Sequence, residues 1–217
     1  VNKLVIFDLD GVLFESRDMH YEALNHALMY HGFAPIAYED HLKRFNGLPT
    51  RKKLDMLIEE RENGGTLYIA RESIEKTKQT ATQNWIRTNV QRDLKLISLL
   101  QTLQHRMNIA VVSNAVRDTV VAALDRLWLT KFVNIIVTPG SGFYPKPDPA
   151  MYFNAMARAF ADPTTTTIVE DSPVGIEAAR ATGARVIEVT GPDEVPPKVW
   201  EALINVPNPD TSSGSGE

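Results

Sequence analysis

The stretch Leu4-Val5-Ile6-Phe7-Asp8-Leu9-Asp10-Gly11-Val12 governs how the rest of the chain is read. Its first four residues are apolar and lack the alternation of a half-exposed strand, which predicts a short strand buried on both faces. Two carboxylates come next. Residues two apart on an extended strand end point to the same side, so Asp8 and Asp10 face one space together. Gly11 suits a tight turn close to a ligand.

The same pattern recurs downstream. Val- and Ile-rich runs at 109–112, 135–137, 168–169 and 186–189 read as further buried strands. Helical patterns lie between them, at 119–129, at 151–160 with Tyr152, Met156 and Ala159 on one face, and from about Pro173. Strands alternating with helices predict an α/β fold with a parallel sheet and right-handed crossovers. Residues 16–88 break the alternation. Tyr21, Leu24, Ala27 and Leu28 share a face, as do Leu54, Leu57 and Ile58. Asn63-Gly64-Gly65 then precedes a long polar helix over about 67–88. This segment is expected to be an α-helical cap inserted after the first strand, with the core formed by residues 1–15 and 89–204. Residues 205–217, rich in Pro, Ser and Gly, read as a flexible tail.

The residues just past each strand carry the chemistry. Phe7 leads into Asp8 and Asp10, Val112 into Ser113 and Asn114, and Val169 into Glu170 and Asp171. Lys146 comes after the third strand, beyond a loop rich in Pro and Gly. Ligands of open parallel sheets bind outside the carboxyl ends of the strands, so these residues are expected to meet in one site. Each alone reads as a turn, a solvated loop lysine or a helix cap, with Ser172 capping the helix that opens at Pro173. Their occurrence at four successive strand ends favours a shared site.

Four carboxylates gathered there would repel one another and take up protons unless a cation compensated. Lys146 supplies one positive charge. An all-oxygen donor set with no close His pair calls for a divalent ion and suits Mg2+. Such an ion shares its shell readily with a phosphate oxygen, so the arrangement points to phosphoryl transfer through a carboxylate nucleophile with a neighbouring acid/base.

Of the 217 residues, 43% are hydrophobic and 23% charged, as in ordinary globular chains. The net charge of −4, with Lys and Arg scattered, argues against a nucleic-acid partner. The absence of cysteine removes disulfides, thiolate catalysis and Cys-ligated metals. The apolar runs are too short for a membrane span or a signal-peptide core, so a cytoplasmic protein without a membrane partner is expected.

The four strand-end motifs resemble those of the haloacid dehalogenase superfamily: Phe7-Asp8-Leu9-Asp10-Gly11-Val12, Ser113-Asn114, Lys146-Pro147-Asp148-Pro149, and Glu170-Asp171-Ser172-Pro173-Val174-Gly175-Ile176-Glu177-Ala178-Ala179. The resemblance implies a Rossmann-like core with a helical cap. It further implies Asp8 as nucleophile and metal ligand, and Asp10 as acid/base that also reaches the metal through its carbonyl. Asp171 would be a ligand and Glu170 a direct or water-mediated one, while Ser113, the amide around Asn114 and Lys146 would hold the phosphoryl group. Asp10 argues against the dehalogenases and phosphonate hydrolases of the superfamily. The expected activity is Mg2+-dependent hydrolysis of a small phosphorylated sugar or polyol, by a monomer or small homo-oligomer. The alternatives are a β-phosphoglucomutase-like mutase, in which His20 stands where the mutases carry a cap-hinge histidine, and a non-catalytic phosphate-metabolite binder. The cap loop Gly47-Leu48-Pro49-Thr50-Arg51 is one residue longer than the mutases' Gly-x-x-Arg. Arg51, with Lys76 or Lys78, is the candidate contact to the distal part of the substrate.

Overall fold

The computed structural model describes residues 3–205, and the expected flexible tail lies almost wholly outside them. The opening strand β1 (Leu4–Phe7) is buried on both faces. Four helical elements come after it: α1 (Arg17–Tyr30), a short α2 (Tyr38–Asp40) running into a π-helical turn (His41–Phe45), α3 (Thr50–Glu60) and α4 (Gly64–Asn89). The chain then alternates, through α5 (Leu94–Leu103), β2 (Asn108–Val112), α6 (Arg117–Arg126), β3 (Ile135–Val137), α7 (Ala150–Arg158), β4 (Thr166–Glu170), α8 (Pro173–Ala181), β5 (Arg185–Glu188) and α9 (Val195–Leu203).

All five strands are parallel, in the order β3-β2-β1-β4-β5. The first strand therefore lies at the centre, which is why its four side chains are apolar without alternation: Leu4 and Ile6 face one layer, Val5 and Phe7 the other. Val5 and Phe7 pack with Leu99, Leu100 and Leu103 of α5, Val120 and Leu124 of α6, and Val195 and Val199 of α9. Leu4 and Ile6 pack with Met151, Tyr152 and Met156 of α7 and with Ala178 and Ala179 of α8. The strand expected at 168–169 begins two residues earlier. Thr166 and Thr167 are buried in the ladder, and β-branched threonine fits the pleat as valine does.

The helical insertion has a cluster of its own, in which Leu24, Leu28, Phe33, Phe45, Leu54, Leu57, Leu67 and Ile74 are buried together. Met19 and Ile86, near its two ends, join the sheet-side cluster instead. A hydrogen bond from Gln79 Nε2 of α4 to Thr119 Oγ1 of α6, 2.8 Å, links insertion and core beside the strand ends. Among the described residues no helix is long and apolar enough to cross a membrane.

Candidate active site

The ladder register brings the strand-end residues together. Phe7 pairs with Val111 and Val169, so Asp8, Ser113 and Glu170 emerge at the same edge of the sheet. Asp8 extends the ladder by donating its amide to the Val169 carbonyl at 3.0 Å. Lys146, from the loop between β3 and α7, reaches the group from the side of β2. Its Nζ donates to Asp8 Oδ1 at 2.5 Å, to the Val112 carbonyl at 2.7 Å and to Glu170 Oε1. All three ammonium hydrogens are thereby used. Burial alone would push Lys146 down, but Asp8 and Glu170 overcome it and hold the ammonium well above its ordinary range.

Glu170 is fully buried. Besides Lys146 it accepts from Tyr152 Oη at 2.5 Å and, on Oε2, from the Asp171 amide at 3.1 Å. The absence of a side chain at Gly175 makes room for this carboxylate: a Cβ there would stand 2.2 Å from both of its oxygens. Ser172 caps α8 as expected, accepting from the Gly175 amide at 3.2 Å.

Asp171 Oδ1 has no hydrogen-bond partner among the described residues. Burial, then the charges of Glu170 and Asp10, raise its carboxyl to about 7. Asp8 is raised as well, by burial against the opposing pull of Lys146, with Glu170, Asp10 and Asp171 adding to the rise. Oxygens of Asp8, Glu170 and Asp171 lie within 4.8 Å of one another. This cluster could hold a metal ion, because a cation would relieve both the raised carboxyls and the orphaned oxygen. The donor set is all oxygen, which fits a hard divalent ion. Gly11, at φ +79°, turns the chain over the same spot, and a Cβ there would meet Asp171 Oδ2 at 2.0 Å.

Asp10 is not one of those three carboxylates and engages the insertion instead. His20 Nε2 stands 3.0 Å from its Oδ1, and Lys78 Nζ lies 3.5 Å from His20 Nδ1. Burial would raise Asp10, but His20, Ser16 and Lys78 outweigh it and bring the carboxyl down to about 2. Ser113 is buried, and its Oγ accepts from the Ala115 amide at 3.0 Å, leaving the hydroxyl hydrogen free to donate. Asn114 receives the Lys146 amide at 2.8 Å and returns Nδ2 to the Lys146 carbonyl at 3.3 Å. The same Nδ2 reaches the Gly47 carbonyl in the insertion at 3.5 Å.

A cavity of about 440 Å³ lies between the strand ends and the insertion. Asp8, Asp10, Ser113, Asn114, Lys146 and Asp171 form its floor, and His20, Arg51, Lys53 and Lys78 line the opposite side. Arg51 is exposed at this lining. Of the two candidate lysines on α4, Lys78 is buried in the lining, whereas Lys76 is exposed and is not part of it. Lys53 lines the cavity although the sequence motifs do not single it out, and its spacing carries a signal. Lys53 and Leu57 are four apart on the buried face of α3, and Ile74, Lys78, Thr82 and Ile86 form a continuous buried stripe on α4. A lysine inside an apolar stripe marks either a snorkelling side chain or a polar cavity beneath it. Tyr152 reads as core from its helical face, and its ring is; its hydroxyl is the part that serves the site.

Residues 5–189 match the family described as Haloacid dehalogenase-like hydrolase. The chain belongs to this family. Among curated relatives, it is 28% identical over 181 residues to the phosphorylated carbohydrates phosphatase of Thermotoga maritima, covering 82% of this chain and 81% of that one. It is 26% identical over 189 residues to the validoxylamine A 7'-phosphate phosphatase of Streptomyces hygroscopicus subsp. limoneus, covering 87% and 85%. Among solved structures, CbbY from Rhodobacter sphaeroides in complex with phosphate superposes with a TM-score of 0.76 at 18% identity, over 88% of this chain and 87% of that one. The parallel sheet with its helical insertion is thus the fold of the haloacid dehalogenase-like hydrolases, and the chain is an enzyme of this hydrolase family.

Proposed function

We propose that this hydrolase is a magnesium-dependent phosphatase of small phosphorylated carbohydrates or polyols that works through an aspartyl phosphate on Asp8. The observation that carries the reading is the placement of Asp8: it is bound to Lys146 Nζ at 2.5 Å, beside an unpartnered Asp171 oxygen, on the floor of a cavity. A pure binding site needs positive charge for a phosphate dianion, whereas this floor presents a nucleophile and a second carboxylate, Asp10. The phosphatase names of the curated relatives support the ester class.

In this mechanism an Asp8 oxygen attacks phosphorus and the ester P–O bond breaks. Asp10, ionised at rest, must first take up a proton, for which His20 Nε2 at 3.0 Å is the neighbouring carrier. It passes that proton to the departing oxygen, then takes one from the water that attacks the phosphorus of the acyl phosphate, and Asp8 and inorganic phosphate are released. Asp8 and Asp171, with Glu170 and the Asp10 carbonyl, are the groups that would hold Mg2+. When bound, the ion would neutralise charge on the phosphoryl oxygens and keep Asp8 ionised. Lys146, the Ser113 hydroxyl and the Asn114 backbone amide would grip the phosphoryl group. The Asn114 side chain is committed to holding the Lys146 loop. Glu170 spends its oxygens on Lys146, Tyr152 and the Asp171 amide, so its larger part is to hold Lys146 in place.

One observation favours a mutase as the second reading, namely the contact of His20 with Asp10, which couples the acid/base to the insertion. A panel of phosphorylated carbohydrates and polyols with Mg2+, monitored for both free phosphate and isomerised ester, separates the two. Phosphate release that is lost in Asp8→Asn supports the phosphatase; net isomerisation with little free phosphate supports the mutase and rejects the primary assignment.

A further inference from the structure

Asn114 is a meeting point for three stretches of chain. Its Nδ2 reaches the Gly47 carbonyl of the insertion at 3.5 Å, and its side chain exchanges hydrogen bonds with the Lys146 backbone. One residue earlier, the Ser113 amide donates to the Val137 carbonyl at 3.2 Å, which lays the end of β3 alongside. Each stretch sets apolar residues on the cavity: Leu48 and Pro49 after Gly47, Ala115 and Val116 after Asn114, Pro139 just beyond β3, and Pro145 before Lys146. Of the two arginines beside them on the lining, Arg117 turns to the Ile136 carbonyl at 3.5 Å, and Arg51 is exposed. Single apolar residues on a surface are ordinary, whereas a group of them lining one cavity marks a place for a ligand.

Two of these residues stand at helix starts, where a polar side chain is favoured. Val116 is the N-cap of α6 and Pro49 the N-cap of α3, and neither side chain can accept from the free first-turn amides. Both helices thus forgo a stabilising cap, and Val116 stays 54% exposed on the lining. A ligand that covers these apolar side chains would offset that cost. The phosphoryl group is not that ligand, because in the proposed mechanism Lys146 and Ser113 hold it on the floor; the alcohol part of the ester is free to be. We propose that Leu48, Pro49, Ala115, Val116, Pro139 and Pro145 form an apolar subsite, and that the substrate is a phosphorylated carbohydrate bearing an apolar or aromatic substituent. The word substrate rests on the phosphatase reading, and the ligand chemistry rests on the apolar side chains alone.

The test uses the full chain with Mg2+ and two matched pairs: phenyl β-D-glucoside 6-phosphate against methyl β-D-glucoside 6-phosphate, and adenosine 5′-monophosphate against ribose 5-phosphate. Phosphate release gives kcat/KM, and calorimetry with Asp8→Asn gives affinity without turnover. In at least one pair the ester with the larger substituent should be preferred by about tenfold or more in both measurements, the low end of what an apolar contact contributes to discrimination. A preference in the first pair assigns an aryl-type aglycone; one in the second assigns a nucleoside. Val116→Ser and Leu48→Ser should each bring the ratio toward one. Val116→Ser also separates a ligand contact from a structural role: serine supplies the missing cap, so chemical unfolding should find the variant at least as stable as its parent while the ratio falls. If Val116→Ser fails to fold, Leu48→Ser and the ratios of the unmutated chain decide. No preference in either pair, or a ratio that survives both serine variants, overturns the proposal and, where phosphate is still released, leaves the phosphatase standing. A preference in binding that depends on Val116 and Leu48, with no turnover of any ester, supports the subsite while rejecting the phosphatase.

Discussion

Asn114 and Lys146 exchange two hydrogen bonds, amide to side chain at 2.8 Å and side chain to carbonyl at 3.3 Å, so a residue after β2 holds the backbone of a loop after β3. Because Asn114 also touches the Gly47 carbonyl, one side chain spans both halves of the cavity. Asn114→Ala should cost about 1–3 kcal/mol of stability, the range for leaving partly buried partners unpaired. It should also lower kcat by about 10–100-fold through misplacement of Lys146. Chemical unfolding and steady-state rates check this, and an unchanged kcat would show that the loop holds itself.

Gly175→Ala tests the seat of Glu170. The added methyl would meet the Glu170 carboxylate at 2.2 Å, in a place where that carboxylate has no exposed surface to move into. A loss of about 1–3 kcal/mol is expected, as for overpacking elsewhere. Activity should fall with it, since Glu170 holds Lys146. Unfolding at unaltered midpoint and slope would mean the carboxylate can relocate freely.

Lys53 makes stability depend on pH in a definite direction. Its folded value of about 7 lies below the ordinary 10.5, so between those values the unfolded chain carries a proton that the folded chain has shed. Stability from this group therefore rises with pH across that window and is lowest below about 7. Lys53→Met should flatten the rise and raise stability at pH 6.5 by about 1–3 kcal/mol. Denaturant titrations at pH 6.5 and 9 measure both effects; a variant less stable at pH 6.5 would show that the burial of Lys53 carries no such cost.

Asp10→Asn keeps the size and backbone of the residue but removes the proton carrier. Turnover of an unactivated alkyl phosphate should drop by about 10²–10⁴-fold. With an activated leaving group, phosphorylation of Asp8 should suffer less than its hydrolysis, so acyl phosphate should accumulate and be trapped by acid quench. Near-normal turnover would remove Asp10 from the proposed mechanism.

Metal removal should abolish phosphate release, and Mg2+ should restore it. Metal at a hundred times its Kd should stabilise the folded chain by about 2.7 kcal/mol. Asp171→Asn removes one of the three clustered carboxylates, so this stabilisation should shrink sharply. A full Mg2+ shift in thermal unfolding of Asp171→Asn would place the ion elsewhere.

The sheet and the floor of the cavity were legible in the sequence because buried parallel strands must be apolar throughout, which makes polar residues at their ends conspicuous. Asp8, Ser113, Glu170 and Asp171 stand out for that reason, and the structure brings them together. The insertion was less legible. Helices tolerate charge on most of their surface, so the sequence Arg51-Lys52-Lys53 gives no sign of which residue turns inward unless the stripe through Leu57 is traced. Lys76 and Lys78 are two residues apart and thus on different faces of α4, which puts one in solvent and the other in the cavity. Nothing local in the sequence reveals that Asn114 grips the Lys146 loop, since the two are 32 residues apart.

The central place of β1 in the sheet also bears on how the molecule is made. Leu4, which precedes both of its partners in the chain, pairs with Asn108 on one side and Thr166 on the other. During synthesis this apolar strand has neither neighbour until residues 108–112 emerge and only one until β4 does, while α1 to α4 can gather around their own cluster. The acidic cluster is complete only when β4 docks and delivers Glu170 and Asp171 to Asp8. A nascent chain stalled with Thr166 still inside the exit tunnel should leave the β4-facing edge of β1 open to chaperones, and release of β4 should cover it.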